Sequence, residues 1–594
     1  MPAGSVALLQ LAAYGAESQY LTGNPQMTYF KLVFRRYTNF ALDSREMLLT
    51  GPTTLLGEES ITLKTVIPRH GDLLSALYVL VDLPDIYSGY MDNSKQPNVP
   101  DVGYRFQWIQ ELGARMIERV EITVGGTKVH ELWGDWMYLW YEMYATDSVD
   151  LQTYDEMIGN VPEFHDPAHS VGRLGIYPTA TLEATLNQDP ELETSSINKD
   201  VTNPYYRTAS IRGRTLYIPV PFWFGTHSGL SLPLIALQAH EVEVTVTLRR
   251  LNDLYTIVDP MPNSSTFGQR MRPSNGRSNM HISHFMANVR RDGFGGNPLT
   301  NQSFARIATD TNINKLNVNP RLQGTYVLLD KEERKRFAAV SHEYLIEQVV
   351  RREFLGVRGE QLLDLTLSHP VKTLTWYAQH SDVDKTNDWC NYRNWRRHDP
   401  DFPNTRVALS GNGGQRCSYG RSGADIPPYT LQAFQPSADE VLQRRLADGV
   451  STVDLSHQWI RTRDATQRMQ LTRFHYPRTE PDILVSAGLL FNGNARIEVS
   501  PSPQFTHLEV LQHRLRRRRP GVYTYSFSLE PRHHQPAGAC NMSRIQNVQL
   551  DVQTLAYALT DNESVLDFKV VVYAVNYNIF RILGGMGSLA FQNG

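Results

Sequence analysis

Four blocks of sequence occur twice along this 594-residue chain, in the same order each time, and a chain built that way is best read as two similar units in tandem. Residues 61–84 (ITLKTVIPRHGDLLSALYVLVDLP) read as strand, proline-containing corner, strand, and residues 362–379 (LLDLTLSHPVKTLTWYAQ) repeat that grammar around His369-Pro370. Residues 117–132 and 484–499 each give an apolar strand, a glycine-based turn and a return strand. Gly125-Gly126 and Asn492-Gly493 supply the turns, because a two-residue hairpin needs positive φ at both positions. LYIPVPFWF (216–224) and HEVEVTVTL (240–248) match VYTYSFSLEP (522–531) and VQLDVQTLAY (548–557), and TYVLLD (325–330) matches FKVVVYAVNYN (568–578).

The matched blocks are strands. Val242, Val244, Val246 and Leu248 alternate with Glu243, Thr245 and Thr247, and Tyr523, Tyr525, Phe527 and Leu529 form a similar run; period two is the mark of a strand with one buried face. Val570–Val575 is continuously apolar, as in a strand covered on both sides. Helical signals are few. Trp133, Trp136, Met137, Trp140, Tyr141 and Tyr144 recur on one helical face, which predicts a helix packed on a sheet, and Asp330 with Glu333 resembles a capping box ahead of a helix over 331–340. The expected fold class is all-β: two tandem eight-stranded jelly-roll β-sandwiches with long loop insertions and a few short helices. The expected organisation is an N-terminal arm (1–26), a first roll (27–336) with a long loop at about 252–323, and a second roll (337–594) with a long loop at about 378–482. Connections this long are uncommon unless they carry contacts.

Catalytic signatures are missing from the sequence. No Walker-type phosphate loop, H-E-x-x-H, C-x-x-C or G-x-S-x-G occurs, and Gly584-Gly585-Met586-Gly587 stands too near the end for a nucleotide-binding βαβ unit. Adjacent His533-His534 point to opposite faces of a strand, a poor ligand pair. No enzyme activity and no cofactor or metal is expected. Net charge is −3, with 58 basic against 61 acidic residues, so a uniformly basic nucleic-acid coat is excluded and sequence-specific nucleic-acid binding is not expected. Three cysteines fit a reducing compartment, and Cys540 is expected to be a small buried hydrophobe. No run approaches the ~20 apolar residues of a membrane span, and no secretory leader is evident at the start. The sequons at Asn263, Asn301, Asn541 and Asn562 are of chance frequency for this length.

Two charged features remain. Arg514, Arg516, Arg517, Arg518 and Arg519 form a basic patch, read either as a contact to nucleic acid, an acidic protein or anionic lipid head groups, or as a solvated loop before the strand Tyr523–Leu529. Arg35-Arg36 lie in an early segment with no strand pattern.

Several segments resemble one family. LTGNPQMTYFKLVFRRYTNFA (21–41), LDKEERKRFAAVSHEYLIEQV (329–349), HPVKTLTW (369–376), SFSLEPRHHQPAGACNMSRIQNVQL (526–550) and VVVYAVNYNIFRILGGMGSLAFQNG (570–594) are similar, in order, to signatures of the major capsid proteins of nucleocytoplasmic large DNA viruses. The resemblance implies a double jelly roll and a structural role. Homotrimers of pseudo-hexagonal outline would tile an icosahedral virion shell beside neighbouring capsomers and minor capsid and penton proteins, with internal membrane lipids at the base and assembly in the host cytoplasm. It places the arm at the base, so that Arg35 and Arg36 would meet minor capsid proteins or anionic lipid. Trp389, Tyr392, Trp395 and Tyr419 in the second long loop are the expected apolar anchors between chains. The alternative reading for a β-sandwich is a carbohydrate-active or lectin-like protein.

Overall fold

The computed structural model describes residues 5–88, 104–144, 151–167, 170, 177, 209–258, 270–277, 280–286, 314–381, 383–392, 407–409, 415–417, 482–516, 520–554 and 567–591. Sixteen strands build two sandwiches. The first uses β1 (Phe40–Leu48), β2 (Ile61–Val66), β3 (Leu73–Asp82), β4 (Ile117–Val124), β5 (Thr127–Trp133), β6 (Thr215–Pro219), β7 (Val242–Leu248) and β8 (Arg321–Leu329). The second uses β9 (His342–Val357), β10 (Glu360–Asp364), β11 (Pro370–His380), β12 (Leu484–Phe491), β13 (Asn494–Pro501), β14 (Val522–Ser526), β15 (Val548–Thr554) and β16 (Phe568–Leu583).

The first sandwich pairs its strands as β1-β8-β3-β6 against β2-β7-β4-β5, and the second as β9-β16-β11-β14 against β10-β15-β12-β13. Adding eight to each label of the first converts it into the second, so both are jelly rolls of one topology, and the four duplicated blocks fall on equivalent strands. The hairpins explain part of this match. Gly125 and Gly126 have φ of 57° and 79°, and Asn492 and Gly493 have 50° and 81°, the double positive φ that continues the right-handed twist of β4–β5 and β12–β13.

Among the helices are α1 (Ser5–Ala12) and α2 (Ala16–Thr22) ahead of the first roll, α3 (Gly134–Met143) within it and α4 (Lys331–Ala339) between the rolls. The connector α4 begins after Asp330, but the Asp330 side chain makes no capping bond, so the expected capping box does not form. Asp72 holds this end instead. Its carboxylate accepts from the Leu329 amide at 2.9 Å and pairs with Arg334 Nε at 2.9 Å. A partner distant in sequence replaces the local one.

The rolls are fused by a shared apolar seam. In β16, Val570, Val572 and Ala574 enter the core of the second roll, while Val571, Tyr573 and Val575 join the core of the first. That is why the run is apolar on both faces. The aromatic helix α3 fills the gap. Trp136 is fully buried with its ring 5.0 Å from that of Tyr573, and Tyr144, just past the helix, bonds Thr373 and Thr375 of β11 at 3.0 and 3.1 Å. Gly134 lets α3 start there, because a Cβ would stand 2.0 Å from the Ala114 carbonyl oxygen.

Inside the seam sits a buried carboxylate. Asp135 accepts a hydrogen bond from the Tyr377 hydroxyl, with the Tyr573 hydroxyl, Arg351 and Arg115 nearby. Burial alone would raise its pKa, but the two guanidinium groups and two hydroxyls outweigh that and hold it well below the usual carboxylate range. Removing one member of such a cluster leaves the rest buried and uncompensated, at a cost of about 3–5 kcal/mol. Asp135→Ala should therefore lower the unfolding free energy by about that amount. Asp135→Asn, which keeps an acceptor for Tyr377, should lower it less. Equal effects of the two substitutions in chemical denaturation would contradict the role given to the Tyr377 bond.

Candidate assembly surfaces

The largest apolar exposure among the described residues precedes β1. Tyr29, Phe30, Leu32, Val33, Phe34 and Tyr37 are 76–99% exposed, in a stretch with no helix or strand. Arg35 and Arg36 lie among them, also exposed. The basic pair is the feature the sequence makes visible; its aromatic and aliphatic neighbours are the larger one. Their signal is an apolar run with no period, next to a strand that does have one. β1 continues the exposure. It pairs only with β8 and leaves Phe40, Leu42 and Leu48 more than half exposed.

The expected inter-chain anchors divide differently. Tyr392 is 1% exposed, its hydroxyl accepts from Arg115 Nη2 at 2.5 Å, and its ring lies 4.3 Å from that of Tyr377. It is an anchor within the chain, which corrects its assignment to a contact between chains. Trp389 is engaged in the same way. Its Nε1 donates to the Asp253 carbonyl at 3.0 Å and Arg249 lies 5.3 Å from the ring centroid. Asn387 adds two bonds, to the carbonyls of Asn252 and Tyr255 at 2.6 and 2.8 Å. The segment 383–392 thus clasps the first roll at 249–255, where the other long loop begins. Both aromatic residues reach polar partners inside the chain, so burial there is already satisfied. Trp395 and Tyr419 lie outside the described residues.

The basic patch is partly tied down. Leu515 is buried in the seam. Arg514 pairs with Glu530 at 3.4 Å, and the Arg516 amide donates to the Met143 carbonyl at 3.4 Å. Arg517, Arg518 and Arg519 lie outside the described residues. Cys540 is half-buried. Burial pushes its thiol up, with Arg496 as a smaller opposing influence, so it is not activated as a nucleophile. Gly584 and Gly585 make a hairpin turn after β16 that docks on the first roll, where the Ala239 amide donates to the Gly585 carbonyl at 3.0 Å.

One cleft opens along the seam, of about 520 Å³ counting the space open to solvent, lined by His130, Trp136 and Trp223 from the first roll and Glu347, Tyr577 and His534 from the second. His130 is 5% exposed, neither ring nitrogen has a hydrogen-bond partner, and Phe222 and Trp223 pack at 5.5 and 6.0 Å. Burial lowers its pKa to about 3. At the mouth, the His534 ring stands 4.8 Å from that of His227, and burial with this neighbour lowers the His534 pKa. Glu347 is already paired with Lys372. Among the described residues no three His, Cys, Asp or Glu side chains converge as a metal site.

A family model described as "Major capsid protein N-terminus" matches residues 28–286, and one described as "Large eukaryotic DNA virus major capsid protein" matches 333–588. Among curated relatives, the major capsid protein of Phaeocystis pouchetii virus is 28% identical over 99% of both chains, and that of Chrysochromulina ericina virus is 28% identical with the same coverage. A chain of the PBCV-1 virus capsid superposes with a TM-score of 0.53 at 21% identity, covering 95% of this chain and all of that one, a likeness of fold.

His130 makes the seam sensitive to acid. Its pKa is about 3 when folded and 6.5 in the unfolded chain, so the unfolded state takes up the proton first. Its contribution is intact above pH 6.5 and is lost as pH falls from there toward 3, by about 1.4 kcal/mol per pH unit. His130→Phe should remove about 2 kcal/mol of the stability difference between pH 7.5 and pH 5. Urea midpoints at the two pH values measure it, and an unchanged difference would refute the assignment.

Proposed function

Since the chain belongs to the major capsid protein family of large eukaryotic DNA viruses, and is a structural protein of the virion capsid and not an enzyme, we propose that it works as a homotrimer of pseudo-hexagonal outline that tiles an icosahedral shell. The observation that carries this reading is the repeated topology. Two rolls of one strand order, locked by the Asp135 seam, give three chains six similar building units, so a three-fold assembly approximates six-fold packing. A hexagonal tile can then meet neighbouring capsomers on all sides within a flat facet.

In this reading the boundary between the rolls falls within α4, near residues 336–337, and the arm through residue 26 stands apart from the first roll. Residues 27–42 leave the body exposed, which supports a role outside the chain. We assign Arg35 and Arg36, with their apolar neighbours, to the capsomer base, where minor capsid and penton proteins and internal membrane lipids are the partners. The remainder of the 378–482 loop, with Trp395 and Tyr419, would supply the outer face of the trimer. Assembly would take place in the host cytoplasm, in keeping with three cysteines.

Purified protein should run near three times 67.6 kDa by analytical ultracentrifugation and show a pseudo-hexagonal outline by electron microscopy. Trimming the chain between residues 395 and 480 should weaken the trimer while leaving each two-roll body folded. A monomer with saturable sugar binding would reverse the reading in favour of the lectin-like alternative. A trimer indifferent to the trimming would remove the loop from the interface.

A further inference from the structure

The arm, taken together with residues 27–39 that follow it ahead of β1, carries two properties at once: it is apolar and it is cationic. Leu8, Leu9 and Leu11 of α1 are 67–79% exposed, Tyr20 and Leu21 of α2 are 92% and 89%, and the run from Tyr29 to Tyr37 follows. Lys31, Arg35 and Arg36 are spaced through that run, and no carboxylate occurs from residue 18 to residue 42. The chain as a whole has net charge −3, so this segment is opposite in sign to the body that bears it.

We propose that the arm is an interfacial membrane anchor, whose cations sit among the phosphates of an anionic lipid surface while its aromatic and aliphatic side chains enter the boundary between headgroups and acyl chains. The proposal rests on the capsomer reading above and deepens it, by naming which part of the chain meets lipid and how. Charge complementarity selects this occupant. A protein partner would need carboxylates set in register against three cations inside an otherwise apolar groove. A bilayer offers a continuous anionic layer directly over an apolar one, which an irregular order of Tyr, Phe, Leu, Lys and Arg satisfies without register. Tyrosine, with an apolar ring and a polar tip, is enriched at that depth, and Tyr14, Tyr20, Tyr29 and Tyr37 are all more than 60% exposed. One arm binds weakly, because a few cations and rings anchor only reversibly. Three arms on one trimer act together, so the second and third attach at high effective concentration.

The test uses full-length purified protein, vesicles of phosphatidylcholine with or without about one-third phosphatidylserine, and co-sedimentation at low and high salt, with the oligomer mass measured on the same sample. The wild type should bind the anionic vesicles, bind neutral ones far less, and weaken at high salt. Basic residues near such a surface contribute about fivefold each, so K31Q/R35Q/R36Q should reduce affinity by about a hundredfold for each arm engaged, and by more for a trimer bound through several arms. Y29S/F30S/F34S should also release the protein while keeping the charge. Neither variant should change the oligomer mass, since these side chains stand exposed, away from the two-roll body. No binding of wild type to anionic vesicles overturns the proposal, as does binding unaffected by either variant. Arm-dependent clustering of trimers without vesicle binding also overturns it, and assigns the arm to a second copy of the chain. A monomeric wild type that still binds vesicles through the arm would strike the capsomer reading and leave the anchor standing.

Discussion

The two-sided burial of β16 is the constraint on which the rest of this structure depends. A β-sandwich normally keeps one face of each sheet against water, and its strands alternate accordingly. Here Val571, Tyr573 and Val575 face the neighbouring roll while Val570, Val572 and Ala574 face their own, so the second roll cannot be solvated without the first. Apolar contact alone would hold the rolls together in many relative orientations. Asp135 narrows them, because its carboxylate must meet Tyr377 and Tyr573 while Arg115 and Arg351 stay close enough to balance it. A buried charge cluster is weak evidence of stability but a good device for selecting one arrangement, since misregistered alternatives leave charges unpaired. The same seam makes a single rigid body out of two repeated domains.

Rigidity of that kind suits a tile. A flat facet built from many copies accumulates any error in the angle between rolls, and a flexible linker such as α4 alone would not hold that angle. The clasp from Asn387, Trp389 and Tyr392 onto the first roll adds a second constraint at a distance from Asp135. The docking of the Gly584-Gly585 hairpin on Ala239 adds a third. The near-zero net charge of the chain limits long-range repulsion between copies in a lattice. The duplicated rolls are alike in strand order yet unlike in burial: β16 and β11 are covered on both faces, whereas β1 lies bare along one edge. The repeat supplies approximate symmetry, and the differing coverage keeps the two halves from being interchangeable.

Much of this was legible in the sequence, because alternation, glycine-based hairpins and the apolar run Val570–Val575 report local physics. Period two follows from the pleat, and Asn492-Gly493 from the steric cost of positive φ. The helix through Trp136 and Trp140 was legible for the same reason, although not the place where it packs. The failures share another cause. Asp330 looked like a cap and Glu333 like its partner, but Asp72, more than 250 residues earlier, holds the Leu329 amide and Arg334. Tyr392 and Trp389 stood in a loop of irregular composition, where nothing local distinguishes an aromatic residue that docks on its own chain from one that docks on another. His130 was hidden because its isolation depends on Phe222 and Trp223, brought beside it only by the fold. Long-range partners write no period into the sequence.

The polar tips of aromatic residues bear on what kind of surface could cover the arm. Inside the seam several tips are occupied: Tyr392 by Arg115, Trp389 by the Asp253 carbonyl, Tyr144 by Thr373 and Thr375, Tyr377 by Asp135, while Trp136 Nε1 and the Tyr577 hydroxyl are buried without a hydrogen-bond partner among the described residues. Burial of an aromatic ring is favourable only if its hydroxyl or indole nitrogen does not lose a hydrogen bond with water, so such pairing marks a residue whose final environment is already in place. Tyr29 and Tyr37 have rings as large, but they stand 91% and 82% exposed with their hydroxyls in water. Covering them with a dry protein groove would orphan those hydroxyls unless each met a designed acceptor. Covering them with a headgroup layer would not, since that layer is itself wet and rich in acceptors. The exposed tyrosine tips of the arm therefore suit a hydrated boundary better than a dry groove.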